Sequence, residues 1–191
     1  MNQKILEICG ILGPIVFTLV VLIMGFVNPD YNHITDYISN LGSAYAQYSF
    51  VMNTAGFMLF GILIIIFSIS LHKAINKGSV IGPAMLALTG INAVLIGLFP
   101  SNTGSIHMTV TTAIFITMIS SILFVSLRLK NDKKWKDYYR YSLASFLLVT
   151  LFSIILLLGI FYPYKGLIQR IAIGIGIIWI EIIAIKLFRK K

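Results

Sequence analysis

Apolar positions along the chain gather into six long runs parted by short polar breaks: roughly Ile5 to Val27, Phe50 to Leu71, Val80 to Phe99, His107 to Leu127, Tyr141 to Tyr162 and Ile171 to Phe188. A helix rising about 1.5 Å per residue needs about 20 apolar residues to cross the hydrocarbon core of a bilayer. The pattern therefore predicts an all-α membrane bundle of six transmembrane helices. Sheet-like or irregular spans are excluded: the runs are too long for barrel strands, and lipid offers no partner to a free backbone group. The connections are short, so successive helices are expected to pack as antiparallel neighbours in one domain over residues 1–191. Small residues at Gly10, Gly13, Gly56, Gly61, Gly82, Gly90, Gly174 and Gly176 permit close helix contacts. The first run follows a short Lys-bearing start, as a signal peptide would. It continues too far for a signal core, however, and Asn28-Pro29-Asp30 is no cleavage site, so it reads as a retained first helix.

The break between the first and second runs, Asn28 to Ser49, is the long one. Within it Ile34, Tyr37, Ile38 and Leu41 fall at i, i+3, i+4 and i+7, one apolar face of a helix. The spacing predicts two helical turns at the outer interface or tucked against the bundle, with Asp36 and Ser39 close together on the polar side.

Composition strengthens the membrane reading. Of 191 residues 58% are apolar and 11% charged, with a mean hydropathy of +0.94; soluble domains carry about 25% charged residues. The net charge of +9 raises nucleic acid as a partner, but the positions of the charges explain it otherwise. With the amino terminus inside, Lys4, Lys73, Lys77, Arg128, Lys130, Lys133, Lys134, Lys136, Arg140, Lys186, Arg189, Lys190 and Lys191 are cytoplasmic, and only Lys165 and Arg170 lie outside. Lys and Arg favour the cytoplasmic side, so both termini are expected there, with no role for nucleic acid. The basic stretch Lys130–Arg140, with Trp135, Tyr138 and Tyr139, is expected to anchor on anionic headgroups. Cys9 stands alone, which excludes an intramolecular disulfide and a cysteine metal cluster; an apolar filler is the expected role.

In so apolar a chain the polar exceptions carry the information. Five features cluster at the outer helix ends: Asp36 with Ser39, His33, Asn102, His107, and Gln169 with Arg170. Asn53 and Asn92 lie further in. His107, in the first turn of its helix, meets the positive end of the dipole, which favours a neutral ring. It fits either a general base or metal ligand, or a histidine bonded to a loop carbonyl. Arg170 fits a clamp for a phosphate or carboxylate, and equally an ion pair with Asp36. Ser39, His107 and Asp36 are the types of a nucleophile, base and orienting acid, without nucleophile-elbow surroundings. His33, His107 and Asp36 are metal-ligand types without tight spacing, so no metal and no cofactor is assigned. Glu181 is the one acid deep in a run, where a bare carboxylate costs about 2.5–3.5 kcal/mol; it is expected to face the bundle, with Asn92 as a partner, in a structural or proton-coupled role. Lys186 is expected to snorkel outward and Glu7 to be solvated near the inner surface.

Asp36-Tyr37-Ile38-Ser39-Asn40-Leu41-Gly42 resembles the Asp-x-Ile-Ser-x-Leu-Gly motif of a family of small six-helix prokaryotic membrane proteins, catalogued as domain of unknown function 998. Phe99-Pro100-Ser101-Asn102 with His107 resembles its second landmark, although Asn102 stands where an acid is common. Gly166-Leu167-Ile168-Gln169-Arg170 resembles its third. The resemblance implies the six-helix fold and a prokaryotic plasma membrane, and brings no activity with it. A looser similarity of plan links the chain to membrane lipid hydrolases that assemble Ser, Asp and His at helix ends, whose paired histidines it lacks. Three readings stay open. One is a binder or enzyme acting on a lipid or lipid-linked group at the outer face, through Asp36, Ser39, Asn102, His107 and Arg170, with His33 and Asn53 beside them. Another is a non-catalytic membrane component supporting a partner. The third is a small transporter using Glu181 and Asn92.

Overall fold

The structure, a computed structural model, describes residues 2–75, 80–130 and 133–189. Lys77, Lys190, Lys191 and the side chain of Lys133, counted above among the inner basic residues, lie outside the described residues. Six helices are long and apolar enough to cross a membrane: α1 Gln3–Val27, α2 Ser49–Ile75, α3 Ile81–Leu98, α4 Ser105–Leu129, α5 Lys136–Leu157 and α6 Lys165–Phe188. The chain is a multi-pass membrane protein with an all-α fold.

Each helix packs on the next, and α6 closes the ring against α1. α4 and α6 touch only marginally, with α5 lying outside them. One end of the ring, here the capped end, carries segment 28–48 and the α3–α4 and α5–α6 connections. The other, the basic end, carries the remaining connections and both termini.

The helix ends depart from the apolar runs for local reasons. α5 covers Lys136–Leu157 rather than 141–162: Gly159 takes φ +65° and turns the chain out of the helix, and Asp137 favours the early start by facing the positive dipole end. Pro163, in the turn Tyr162–Tyr164, opens α6 six residues earlier than the run at Ile171. α2 contains a π-helical stretch, Met52–Met58, that hydropathy gives no hint of.

At the basic end two expectations are corrected. Trp135 is fully buried rather than anchored among headgroups. It stacks edge-on against Tyr138, and the Lys186 ammonium lies over both rings. Glu7 is buried, not solvated: Gln3 Nε2 donates to its carboxylate at 3.0 Å and to Ser70 Oγ at 2.6 Å.

Packing within the ring depends on close backbone approach. A methyl group at Gly61 would strike the Gly90 carbonyl, and one at Gly90 would come 2.6 Å from the Gly61 carbonyl. α2 and α3 can meet so closely only because neither position has a side chain. Gly61→Val is expected to force the two helices apart and cost about 1–3 kcal/mol, read as a lower midpoint of thermal unfolding in detergent; an unchanged midpoint would remove this contact from the account.

Candidate functional site

The capped end is built around segment 28–48, the lid, and the first turns of α6 hold that segment down. A methyl group at Gly166 would come within 2.8 Å of the Asp36 backbone nitrogen and closer still to its carbonyl oxygen, so the lid backbone rests directly on this glycine. Leu167 N donates to Ile34 O at 3.0 Å, and Ile38 N donates to Gln169 Oε1 at 2.7 Å. Arg170 Nη1 reaches the carbonyls of Asp36 and Gly166, both at 2.9 Å, and Nη2 donates to the Tyr31 hydroxyl. That hydroxyl donates onward to Tyr37 O at 3.2 Å. Burial pushes the Tyr31 hydroxyl above its usual range, against the opposing pull of the Arg170 charge, which keeps it protonated. One face of α6 thus grips the lid backbone at three alternate residues, Ile34, Asp36 and Ile38.

The lid itself is not the two-turn helix expected from its apolar spacing. Asn32 Oδ1 accepts from Ile34 N and Asp36 Oδ2 accepts from Asn32 N, both at 2.8 Å. Asn32 thus caps a single turn, closed by Asp36 N donating to Asn32 O at 2.8 Å, and the helix goes no further. Tyr37 then adopts an extended conformation (ψ 146°), and a short 3-10 turn covers Ile38–Gly42. The apolar pattern keeps half its meaning: Ile38 and Leu41 are buried under the lid, while Ile34 is exposed.

The other candidates spread along the same end. Asn102 Oδ1 accepts from Ala44 N at 2.9 Å and ties the α3–α4 connection to the lid. Asn53, in the π-helical stretch of α2, donates to Gly42 O at 2.8 Å, and its Oδ1 is buried without a partner. His107 is buried and shares a 2.8 Å bond with Phe99 O. A carbonyl only accepts, so Nδ1 carries the proton. His33 packs on Gly25 and edge-on against Tyr31 and Phe26; burial, then the Arg170 charge, lowers its pKa.

No hydrogen bond among the described residues joins Asp36, Ser39 and His107, so the structure does not assemble them as a nucleophile, base and acid. The expected Asp36–Arg170 ion pair is also corrected: the guanidinium takes the Asp36 carbonyl, and the carboxylate turns back to Asn32. Both Nη atoms of Arg170 are occupied by oxygens of the lid and of Gly166, while its Nε is buried without a partner. Among the described residues no three His, Cys, Asp or Glu side chains gather as a metal would need. Deeper in, Asn92 donates to Thr117 Oγ1 at 3.4 Å rather than to Glu181, which is half-buried.

Beneath the lid lies a cavity of about 60 Å³. It runs down the centre of the ring from Ser39 and Gln169 to Thr89 and Ile180, between α1, α2, α3, α4 and α6. Gln169 and Ile180 are 11 residues apart on α6, roughly 16 Å of helix. Its walls are mostly Phe, Ile, Ala and Met side chains. Toward the capped end the ring is loose on the α5 side. The buried residues of α5 are Ser142, Ser145 and Val149, and none from Thr150 to Tyr164 is buried. A methyl group on Gly174 of α6 would meet nothing within 4 Å. Sequence reasoning singled out Ser39 and Gln169 but missed this chamber, Thr111 in its wall and the role of Tyr31. A hydroxyl among several on one helix gives no signal of the space it faces.

The family described as Protein of unknown function (DUF998) has a model that matches residues 11–186. The chain belongs to this family. Its three landmark motifs meet at the capped end: the first forms the lid, the second ties the lid through Asn102, and the third grips it through Gly166, Gln169 and Arg170. No curated protein and no solved structure matches the chain.

Two outcomes test this geometry. Gly166→Ala should lift the lid from α6 at a cost of roughly 1–3 kcal/mol, seen as faster amide exchange over 34–38 with the six helices retained; unchanged exchange would contradict the close approach. The lowered pKa of His33 means that the displaced lid binds a proton more readily than the docked one. Docking is then complete above the ordinary value of 6.5 and weakens as pH falls through it toward the lowered value. Lid exchange should rise from pH 7.5 to pH 5.5 and lose that dependence in His33→Gln; a pH dependence that persists in the variant would assign it to another group.

Proposed function

We propose that this DUF998 protein binds a lipid or lipid-linked molecule by its hydrocarbon chain, in the chamber under the lid. The observation that carries this reading is the chamber itself: a narrow apolar space along the bundle axis, closed above by a polar lid. Ligand sites are mostly apolar concavities with a few converging polar groups. The loose flank beside α5 offers a hydrocarbon chain a sideways path from the bilayer. The Lys and Arg distribution supports an orientation in which the capped end is outside and both termini are cytoplasmic in a plasma membrane. The ligand then comes from the outer leaflet.

Binding rather than catalysis is the reading supported, because His107, Asp36 and Arg170 all bond to backbone atoms and none is hydrogen-bonded to Ser39. The same bonds favour a second reading, a non-catalytic membrane component whose lid is a fixed surface for a partner. The two differ over whether the chamber is occupied.

Ala93 lines the chamber and is itself fully buried, so a larger side chain there fills the space. Chain purified in mild detergent should carry a co-purifying lipid visible by native mass spectrometry, and Ala93→Leu should reduce its occupancy at least fivefold. Equal occupancy in the two proteins, or none in the parent, favours the second reading.

A further inference from the structure

The polar groups in the chamber wall specify more than an apolar chain. Gln169 Oε1 accepts from Ile38 N, which fixes the amide orientation. Its Nε2 makes no hydrogen bond among the described residues, although Gln169 is only 5% exposed. An amide nitrogen only donates. Thr111 Oγ1 is buried without a partner. Elsewhere on α4, Thr109, Thr112 and Thr117 each donate to the carbonyl four residues back, at 3.0, 2.9 and 2.8 Å. Thr111 is the exception, and it is also the one of the four that lines the chamber. Ser39 lines it as well, one residue beyond the Ile38 nitrogen held by Gln169. Three residues able to donate therefore border one cavity: Thr111, whose Oγ1 is buried without a partner, Gln169 and the half-buried Ser39. A buried donor without an acceptor, as at Thr111, is costly, and a ligand that supplies an acceptor recovers that cost.

Among the described residues no charged side chain lines the chamber. The nearby Arg170 directs its two Nη atoms at the carbonyls of Asp36 and Gly166 and at Tyr31, and its Nε, buried without a partner, lies outside the chamber lining. An anion would be stripped of water there with no cation to meet it. The acceptor that fits is uncharged.

We propose that the chamber takes the acyl chain of an ester-linked lipid, with its neutral carbonyl oxygen bound by Gln169 Nε2, Thr111 Oγ1 and Ser39 Oγ. This rests on the chain-binding reading above and narrows it to acylglycerol-type ligands. Free anionic amphiphiles are excluded by charge, and plain hydrocarbons leave the three donors unpaired.

The test uses the full chain in detergent and three probes with the same alkyl chain and a photoreactive diazirine near its end: a monoacylglycerol, a hydrocarbon without a headgroup, and an alkyl sulfate. Crosslinked residues are mapped by mass spectrometry, and affinities are taken from competition against the monoacylglycerol. Crosslinks at α3 and α6 chamber residues are expected, with the ester bound roughly five- to tenfold more tightly than the hydrocarbon per bond gained and the sulfate not competing. Thr111→Val, which keeps the side-chain shape, and Ser39→Ala should each weaken the ester and leave the hydrocarbon unchanged. Ester and hydrocarbon of equal affinity, sulfate bound as well as ester, or no effect of either variant would overturn the carbonyl assignment while the chain-binding reading stands. Absence of chamber crosslinks from every probe would overturn both.

Discussion

The capped end depends on the grip of the first turns of α6 on the backbone of the lid. Gly166, Leu167, Gln169 and Arg170 hold the backbone of three alternate lid residues, Ile34, Asp36 and Ile38. Charge-assisted bonds such as those from Arg170 are worth about 1.5–3 kcal/mol each, more than neutral ones. A lid built from Asn-Pro-Asp, Asn-His and similar sequence has little preference for one conformation of its own. Fixing it from outside lets Ile38 and Leu41 be buried and brings Ser39 over the central cavity. Without the grip the chamber has no roof.

The ring below answers a different constraint. Lipid gives helices no hydrophobic reason to associate, so contacts rest on small residues and on a few buried polar bonds. Gly61 against Gly90 does this between α2 and α3, Ser121 Oγ on Gly82 O between α4 and α3, and Trp179 Nε1 on Ser142 Oγ between α6 and α5. The last of these lies toward the basic end, where α5 is held. Toward the capped end α5 has no comparable bond, and the ring loosens on that side. The same asymmetry gives the chamber a firm floor and a yielding flank.

Much of this was legible in the sequence. Six apolar runs are six helices, because lipid leaves the backbone no alternative. The three landmark motifs are one assembly, the lid and its latch. What was not legible depends on where side chains point. Asp36 and Arg170 are complementary charges, yet Asn32 captures the carboxylate and the guanidinium takes a carbonyl. Trp135 and Lys186 read as interfacial types, yet each completes the other's packing within the bundle. Thr111 is one hydroxyl among several until its missing bond is seen beside a cavity.

The central claim is that the chamber is a site for a hydrocarbon chain. The most direct measurement is an experimental density map of the protein in a lipid nanodisc. Continuous elongated density is expected from beneath Ser39 and Gln169 toward Ile180, with a branch leaving on the α5 side. A chamber closed by inward movement of Phe115 and Ile177, with no density between α3 and α6, would contradict it.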